Sequence, residues 1–429
     1  MLSIIVAYGQ LRGFHLPAEK TSGKIRFRSS HNLIIIPVTV NGVEMSFILD
    51  TGSTHTLLFG TKQSNPELFK QTRKVQIAGI GTEKYVTGFE AAGMNVRIGK
   101  AVNPDMKLYI ISPDDFDIFR MTGENIHGII GYDLFRDLIV TIHYSKRYIR
   151  LTNPEKFNPP GRKYKPIPIE IRQNKPYLKA KILQMLGDTL PVDMLIDTGN
   201  SDAIWLFEND KISPEKGKEY FEDFLGEGIS GSITGKRSRL RSLQFDGFVF
   251  PNPTVSYLDS TMTRFTRLDS LRSGSLGAQI WQRFISIIDY PHRKIYLKKI
   301  RSFNDEFRYN RSGIHLIYAG KTLVSTRRLL PKKSNLPATA QDTFELKVEY
   351  EYEFKPLYMV QYIRPGSPAG ISGLQPGDVL VSVNGKEAYH YSISQLNEMF
   401  HGKDGKRIRM TVKRKSQKIH LAFKLKKIL

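Results

Sequence analysis

The stretch "FILDTGSTHTLL", residues 47–58, decides how this chain is read. It is apolar up to Leu49, places Asp50, Thr51 and Gly52, and then returns to small and apolar residues. A carboxylate buried in such a run costs several kcal/mol unless its charge is hydrogen-bonded or shared. Either the strand ends at Asp50, or the burial serves chemistry.

The stretch has a second copy. "MLIDTGNSDAIWLF" (194–207) places another Asp-Thr-Gly at Asp197, 147 residues on. At the same offset "YVTG" (85–88) faces "SITG" (232–235). Further on, "HGIIGYDLFRDLIVTIHYSKRYIRL" (127–151) faces "SGSLGAQIWQRFISIIDYPHRKIYL" (273–297), with Gly131 matching Gly277 and Tyr144 matching Tyr290 at an offset of 146. Separated matches at a near-constant offset make residues 32 to 299 two copies of one unit. Short apolar runs and Gly-rich turns make each copy β-rich, with one brief helical stretch after the second glycine motif.

Two such copies, packed about a pseudo-twofold axis, would bring both Asp-Thr-Gly turns to the axis. Like charges that close do not both ionise readily, so the pair holds one proton between them. One carboxylate can then take a proton from a trapped water while the protonated partner polarises a carbonyl. That is general acid–base hydrolysis of an amide, needing no metal, no cofactor and no covalent intermediate. Gly52 and Gly199 lack a Cβ, so their N–H groups can approach the carboxylates. Thr51 and Thr198 can hydrogen-bond across the axis, and Ile48, Leu49, Leu195 and Ile196 keep the turns dry. On this reading Asp50 is buried because Asp197 is its partner.

The doubled Asp-Thr-Gly, each with a later apolar-apolar-Gly motif, resembles the aspartic proteases. The resemblance covers residues 32–299 and combines a pepsin-like single chain with retropepsin-like short units. It implies a bilobal, mainly β, pseudo-twofold β-barrel fold with Asp50 and Asp197 catalytic. It also implies that Ile129-Ile130-Gly131 and Ser275-Leu276-Gly277 thread beneath the two turns. The segment "IAGIGTEKYVTG" (77–88) resembles the retropepsin flap, so the Gly79-Ile80-Gly81 backbone is expected to close over a substrate peptide. This sequence departs from the family at four points, one being that the pepsin-type flap tyrosine motif is absent. Asn200 follows the second Asp-Thr-Gly where Ser, Thr or Ala is usual, and Ser275-Leu276 replaces two bulky aliphatics. The second candidate flap, Gly228-Ile229-Ser230-Gly231, does not register easily on the first.

In the last third, "VQYIRPGSPAGISGLQPGDVLVSVNGK" (360–386) resembles a PDZ domain of the bacterial protease-associated type. "SISQLNEMF" (392–400) would be its groove helix, and "KRIRMTVKR" and "KIHLAFKLK" its closing strands. PDZ domains bind peptides by strand addition beside a helix and hold the terminal carboxylate with backbone N–H groups. Ser312, Gly313, Ile314 and His315 are the candidates for that loop.

Composition bounds the alternatives. The 429 residues hold 40% hydrophobic residues, enough for a core, and 64 Lys+Arg against 41 Asp+Glu, a net charge of +23. The charge is scattered, and its densest run, 403–427, is interleaved with apolar residues as in half-solvated strands. No cysteine is present, which excludes disulfides, Cys nucleophiles and Cys-ligated zinc. No apolar run approaches the roughly 18 residues of a membrane helix. His143, His292 and His315 are isolated, and neither a metal-site nor a phosphate-loop pattern appears. The start, "MLSIIVAYGQ", reads as the tail of a signal peptide without its charged beginning, or else as a short strand.

The expected organisation is an N-terminal segment 1–30, lobes at 31–155 and 156–303, and a PDZ domain at 308–429 with an inserted loop around 321–356. The expected activity is endopeptidase cleavage of polypeptides by a monomer in the periplasm or another extracytoplasmic space. The PDZ domain would bind substrate or partner C-termini, and no nucleic acid is expected. The rival from another class is a catalytically inactive peptide-binding envelope protein. A nucleic-acid binder is suggested only by the net charge.

Overall fold

A computed structural model describes residues 13–17, 22–60, 72–81, 85–112, 118–187, 189–263, 269–331 and 346–429 of the chain. The N-terminal stretch read as a signal-peptide tail, residues 1–10, lies outside them. The chain divides into two units, Met1–Asn310 with Lys427–Leu429, and Arg311–Lys426.

The first unit is built twice over. In the first half, strand Leu33–Val40 pairs antiparallel with Val43–Leu49, the strand that delivers Asp50. In the second half, Lys175–Leu183 pairs in the same way with Thr189–Ile196, which delivers Asp197. Each delivering strand then gains a parallel neighbour from far along the chain. Phe47, Ile48 and Leu49 face Gly128, Ile129 and Ile130. Met194, Leu195 and Ile196 face Gly274, Ser275 and Leu276. The parallel pairings are why the later glycine motifs end up under the Asp-Thr-Gly turns. Leu33 to Ile36 are all buried, so "LIIIPVTV" (33–40) reads as a nearly continuous apolar run.

A six-stranded sheet joins the halves, with Ile139–His143 of the first antiparallel to Phe284–Asp289 of the second. Thr141 faces Ile287 in that register. These two residues are equivalents under the 146-residue repeat, so the pseudo-twofold axis runs between them. One hydrophobic core spans both halves and includes Phe135, Leu138 and Val140 beside Phe284, Ile288 and Tyr290. Removing that apolar surface from water is what chiefly holds the halves together.

The second unit is a sheet whose strand order starts at Ile314–Pro331 and runs through Leu346–Ile363, Val379–Val383 and Arg407–Arg414 to Gln417–Lys424. Helix Ile393–Phe400 is started by a capping box, in which Ser392 Oγ accepts from Gln395 N–H and the Gln395 side chain accepts from Ser392 N–H. Its Leu396 and Phe400 share a core with Ile314, Leu316, Val360 and Met410. Asp378 is buried and held by Arg414 through two hydrogen bonds of 2.7 Å.

The inserted segment differs from the expected loop in its first part; its second part, where "ELKVEYEYEF" alternates like an exposed hairpin strand, belongs to strand Leu346–Ile363. Lys321 to Pro331 pairs residue by residue with Leu346 to Pro356, so the insertion extends the hairpin as a two-stranded ribbon. Alternation was visible only in its second arm, because Arg327 and Arg328 interrupt the first. Strand pairing with the second arm overrides that composition. Among the described residues no helix is long and apolar enough to cross a membrane.

Candidate active site

Asp50 and Asp197 leave their strands at equivalent points. Asp50 N–H donates to Ile130 O at 2.9 Å, and Asp197 N–H donates to Leu276 O at 3.0 Å. The turns lock through their threonines. Thr51 Oγ1 donates to Ile196 O at 2.7 Å and accepts from Thr198 N–H at 3.0 Å. Thr198 Oγ1 donates to Leu49 O at 2.9 Å and accepts from Thr51 N–H at 3.1 Å. This reciprocal exchange ties each turn to the strand that carries the other.

The two carboxylates meet beside the glycines. A Cβ on Gly52 would lie 3.0 Å from Asp197 Oδ1 and 3.1 Å from Asp50 Oδ1, so both acids border one small volume. Gly52 N–H donates to Asp50 Oδ1 at 2.7 Å. A Cβ on Gly199 would collide with the Asp50 carboxyl, and one on Gly131 with the carbonyl of Ser53. Gly277 packs as tightly under the other turn, against Asp202 O and Asn200 O. Asn200 itself folds back, its Oδ1 accepting from Asp202 N–H at 2.9 Å.

Burial, followed by the nearby Asp197 charge, pushes the Asp50 carboxyl up to about 7. Burial raises Asp197 as well, opposed by Arg272, the Ser275 hydroxyl and Lys175. The pair therefore retains a proton over pH values at which an exposed pair would have lost both.

Two hairpins, one from each half, meet at their tips. The first joins Thr72–Ile77 to Val86–Ile98 and carries Gly79, Ile80 and Gly81 at its tip. The second joins Phe221–Gly228 to Gly231–Arg239 through Ile229 and Ser230. Gly79 N–H donates to Ser230 Oγ at 2.9 Å. The tip isoleucines cross over. Ile80 packs on Trp205, Phe207, Ile233 and Leu258 of the second half, and Ile229 packs with Ile35, Ile48 and Ile129 of the first. A bulge between Phe224 and Gly226 shifts the second hairpin's register. Ile229 follows Ile80 by 149 residues but Gly235 follows Gly88 by 147, so the second hairpin is two residues shorter beyond its tip and the tips do not align in sequence.

Ser312, Gly313, Ile314 and His315 lead into strand Ile314–Pro331 of the second unit. Ser312 is fully buried, its carbonyl accepting from Ala369 N–H at 3.2 Å and its Oγ from Ile314 N–H at 3.0 Å. Gly313, at φ +81°, packs against Ser367, and its carbonyl accepts from Arg364 N–H at 2.9 Å.

Residue patterns did not point to the charged side chains beside the acids. Arg272 is only 8% exposed, its Nη2 donating to Ser275 Oγ at 2.6 Å and its guanidinium lying 4.8 Å from the Phe207 ring. Burial drives Lys175 down to about 8. The signal that could have found them is the replacement of aliphatics in the first copy by polar residues in the second, of which only Ser275 stood out.

Residues 36–134 match the aspartyl protease family and residues 359–414 match the PDZ domain family. The chain is thus mainly β and carries an aspartyl protease domain and a PDZ domain. Among curated proteins none matches it.

Proposed function

We propose that the chain is an aspartic endopeptidase that hydrolyses polypeptides with a water held between Asp50 and Asp197. The observation that carries this reading is the convergence of both carboxylates on one volume beside Gly52 and Gly199, with the reciprocal threonine exchange beneath them. Asp197, beside Arg272 and Ser275, is the ionised partner and takes a proton from the water. Asp50 holds the shared proton and gives it to the carbonyl oxygen as the water oxygen bonds to the carbonyl carbon. The C–N bond then breaks, and the leaving amine receives a proton from the acid pair. The flap tips at Ile80 and Ile229 exclude water from the scissile bond.

The second unit would bind extended peptide segments along strand Ile314–Pro331 beside helix Ile393–Phe400, raising the local concentration of a long substrate. The test is incubation of wild type, Asp50→Asn and Asp197→Asn with a denatured protein across pH, followed by sequencing of the fragments. The expected result is fragments from wild type alone. Near-wild-type turnover by either variant would overturn the mechanism.

A further inference from the structure

The repeat makes the two walls beside the acids structurally equivalent, yet their side chains differ in kind. The register defines four pairs of positions. Ile129 lies beside Ile48 on the parallel strand, and Ser275 lies beside Leu195 in the same way. Ile35 faces Ile48 and Tyr177 faces Leu195 across the antiparallel pair. Leu33 and Lys175 each follow a tight turn whose two residues have positive φ, His31-Asn32 and Gln173-Asn174. Ile126 and Arg272 each stand two residues before the glycine of the parallel strand, Gly128 and Gly274. In the first half all four are aliphatic, and they form one buried cluster. In the second half they are Ser275, Tyr177, Lys175 and Arg272.

One further carboxylate lies near this wall: the Asp269 charge favours the charged forms of Arg272 and Lys175, and Asp269 hydrogen-bonds with Tyr177. Asp193 is engaged by Arg172 at 2.8 Å and Lys179 at 3.1 Å. Asp269 accepts from Arg172 Nε at 3.0 Å and from Leu271 N–H at 3.1 Å. Among the described residues neither Arg272 nor Lys175 has a carboxylate within 4.0 Å, and Arg272 Nη1 has no hydrogen bond. Both cations also act on the acid pair, which carries one negative charge while it shares a proton. Lys175 and Arg272 thus border the acid pair, and the Phe207 ring that lies against Arg272 packs in one cluster with Trp205 and Ile80. A desolvated cation without an anion is costly, and an incoming carboxylate relieves that cost.

We propose that the wall formed by Lys175, Tyr177, Arg272 and Ser275 is a subsite for a carboxylate, supplied by an Asp or Glu side chain next to the scissile bond, while the aliphatic wall takes an apolar side chain on the other side. Arg272 is the principal anchor, with its guanidinium steadied by Phe207, Gly274 O and Ser275 Oγ. Lys175 adds a second positive charge.

This subsite rests on the endopeptidase reading, and the test separates the two. The full chain is incubated with a mixed peptide library and, as a control, replaced by Asp50→Asn; cleavage sites are read by mass spectrometry. Matched peptides with Glu or Gln at the selected position, each with a free or an amidated C-terminus, are then compared by kcat/KM. The expected Glu-over-Gln preference is roughly 10- to 100-fold, as for loss of a charged hydrogen-bond partner. It should persist with an amidated terminus. In Arg272→Leu it should fall toward unity, and in Lys175→Met, a milder change at a half-buried site, it should shrink several-fold. Cleavage without an acidic preference overturns the subsite and leaves the hydrolase standing. Absence of any wild-type cleavage overturns both. Cleavage that requires a free C-terminus beside the scissile bond overturns the assignment to a side chain in favour of a terminal carboxylate.

Discussion

Replacing Asp50 by Asn should change the pH dependence of stability as well as abolish hydrolysis. Burial and the Asp197 charge lift the Asp50 carboxyl from 3.8 to about 7. The folded chain therefore keeps a proton that the unfolded chain releases near pH 4. The stability tied to that proton is complete below about pH 4 and is lost as pH rises through about 7. For an isolated group the shift corresponds to roughly 4 kcal/mol, and sharing of the proton with Asp197 distributes the loss over the pair. Asn resembles the neutral acid in shape and cannot ionise, so the variant avoids this loss. The variant and wild type should melt together at about pH 4, and the variant should gain up to roughly 4 kcal/mol by about pH 8, several °C for a domain of this size. Lys175 is common to both proteins and discharges only around and above its lowered value of about 8, so melts at pH 4, 6 and 7.5 isolate the acid pair. Calorimetry or near-UV dichroism at constant ionic strength would follow the transition of the first unit. A stability difference that stays flat with pH, or a variant that melts below wild type at pH 7.5, would refute a proton-sharing pair.

Four further outcomes are expected. In wild type kcat/KM should decline above about pH 7, where Asp50 ionises, and Arg272→Leu should move that decline to higher pH by removing a cation that favours the charged pair; a pH–rate series checks both. Gly199→Ala places a methyl group against the Asp50 carboxyl, so peptide turnover should fall by about 100-fold or more in a chain with wild-type dichroism. Arg237 is buried between Asp202 and Asp223, with bonds of 3.0 and 3.1 Å, and Arg237→Leu removes the cation that both acids share, a loss of about 3–5 kcal/mol measurable by urea unfolding. Because one chain carries both Asp-Thr-Gly turns, specific activity should hold constant on dilution; a steep loss at low enzyme concentration would mean that the halves do not pair within one chain.

What was legible in the sequence was whatever a short local pattern encodes. Asp50-Thr51-Gly52 and Asp197-Thr198-Gly199 are local, and their constant spacing implied the axis that Thr141 and Ile287 now mark. The ribbon at 321–331 was not legible, because its partner arm supplies the order that its own composition lacks. The flap pairing was hidden because the second hairpin is two residues shorter between Ile229 and Gly235 than the first between Ile80 and Gly88, which breaks the repeat where the two tips meet. The polar wall was hidden for a different reason. Arg272 and Lys175 lie 97 residues apart and become neighbours only through strand pairings made elsewhere, so no window of sequence contains both.

That wall also explains what a duplicated chain can do that a pair of identical chains cannot. A peptide has a direction, so the side chains on either side of its scissile bond meet different halves of the site. Two identical protomers must offer the same residues to both. Here the backbone keeps the twofold arrangement that the acid pair needs, down to the reciprocal threonine bonds of 2.7 and 2.9 Å. The side chains are free to diverge wherever they do not hold the turns. Ile126 and Arg272, Leu33 and Lys175, and Ile129 and Ser275 are such positions. The aliphatic member of each pair stabilises its half through apolar burial, whereas the polar member gives up that contribution. A cation kept at the less stabilising position is what a site selective for a charged side chain requires, since discrimination by a desolvated charge greatly exceeds what an apolar pocket achieves.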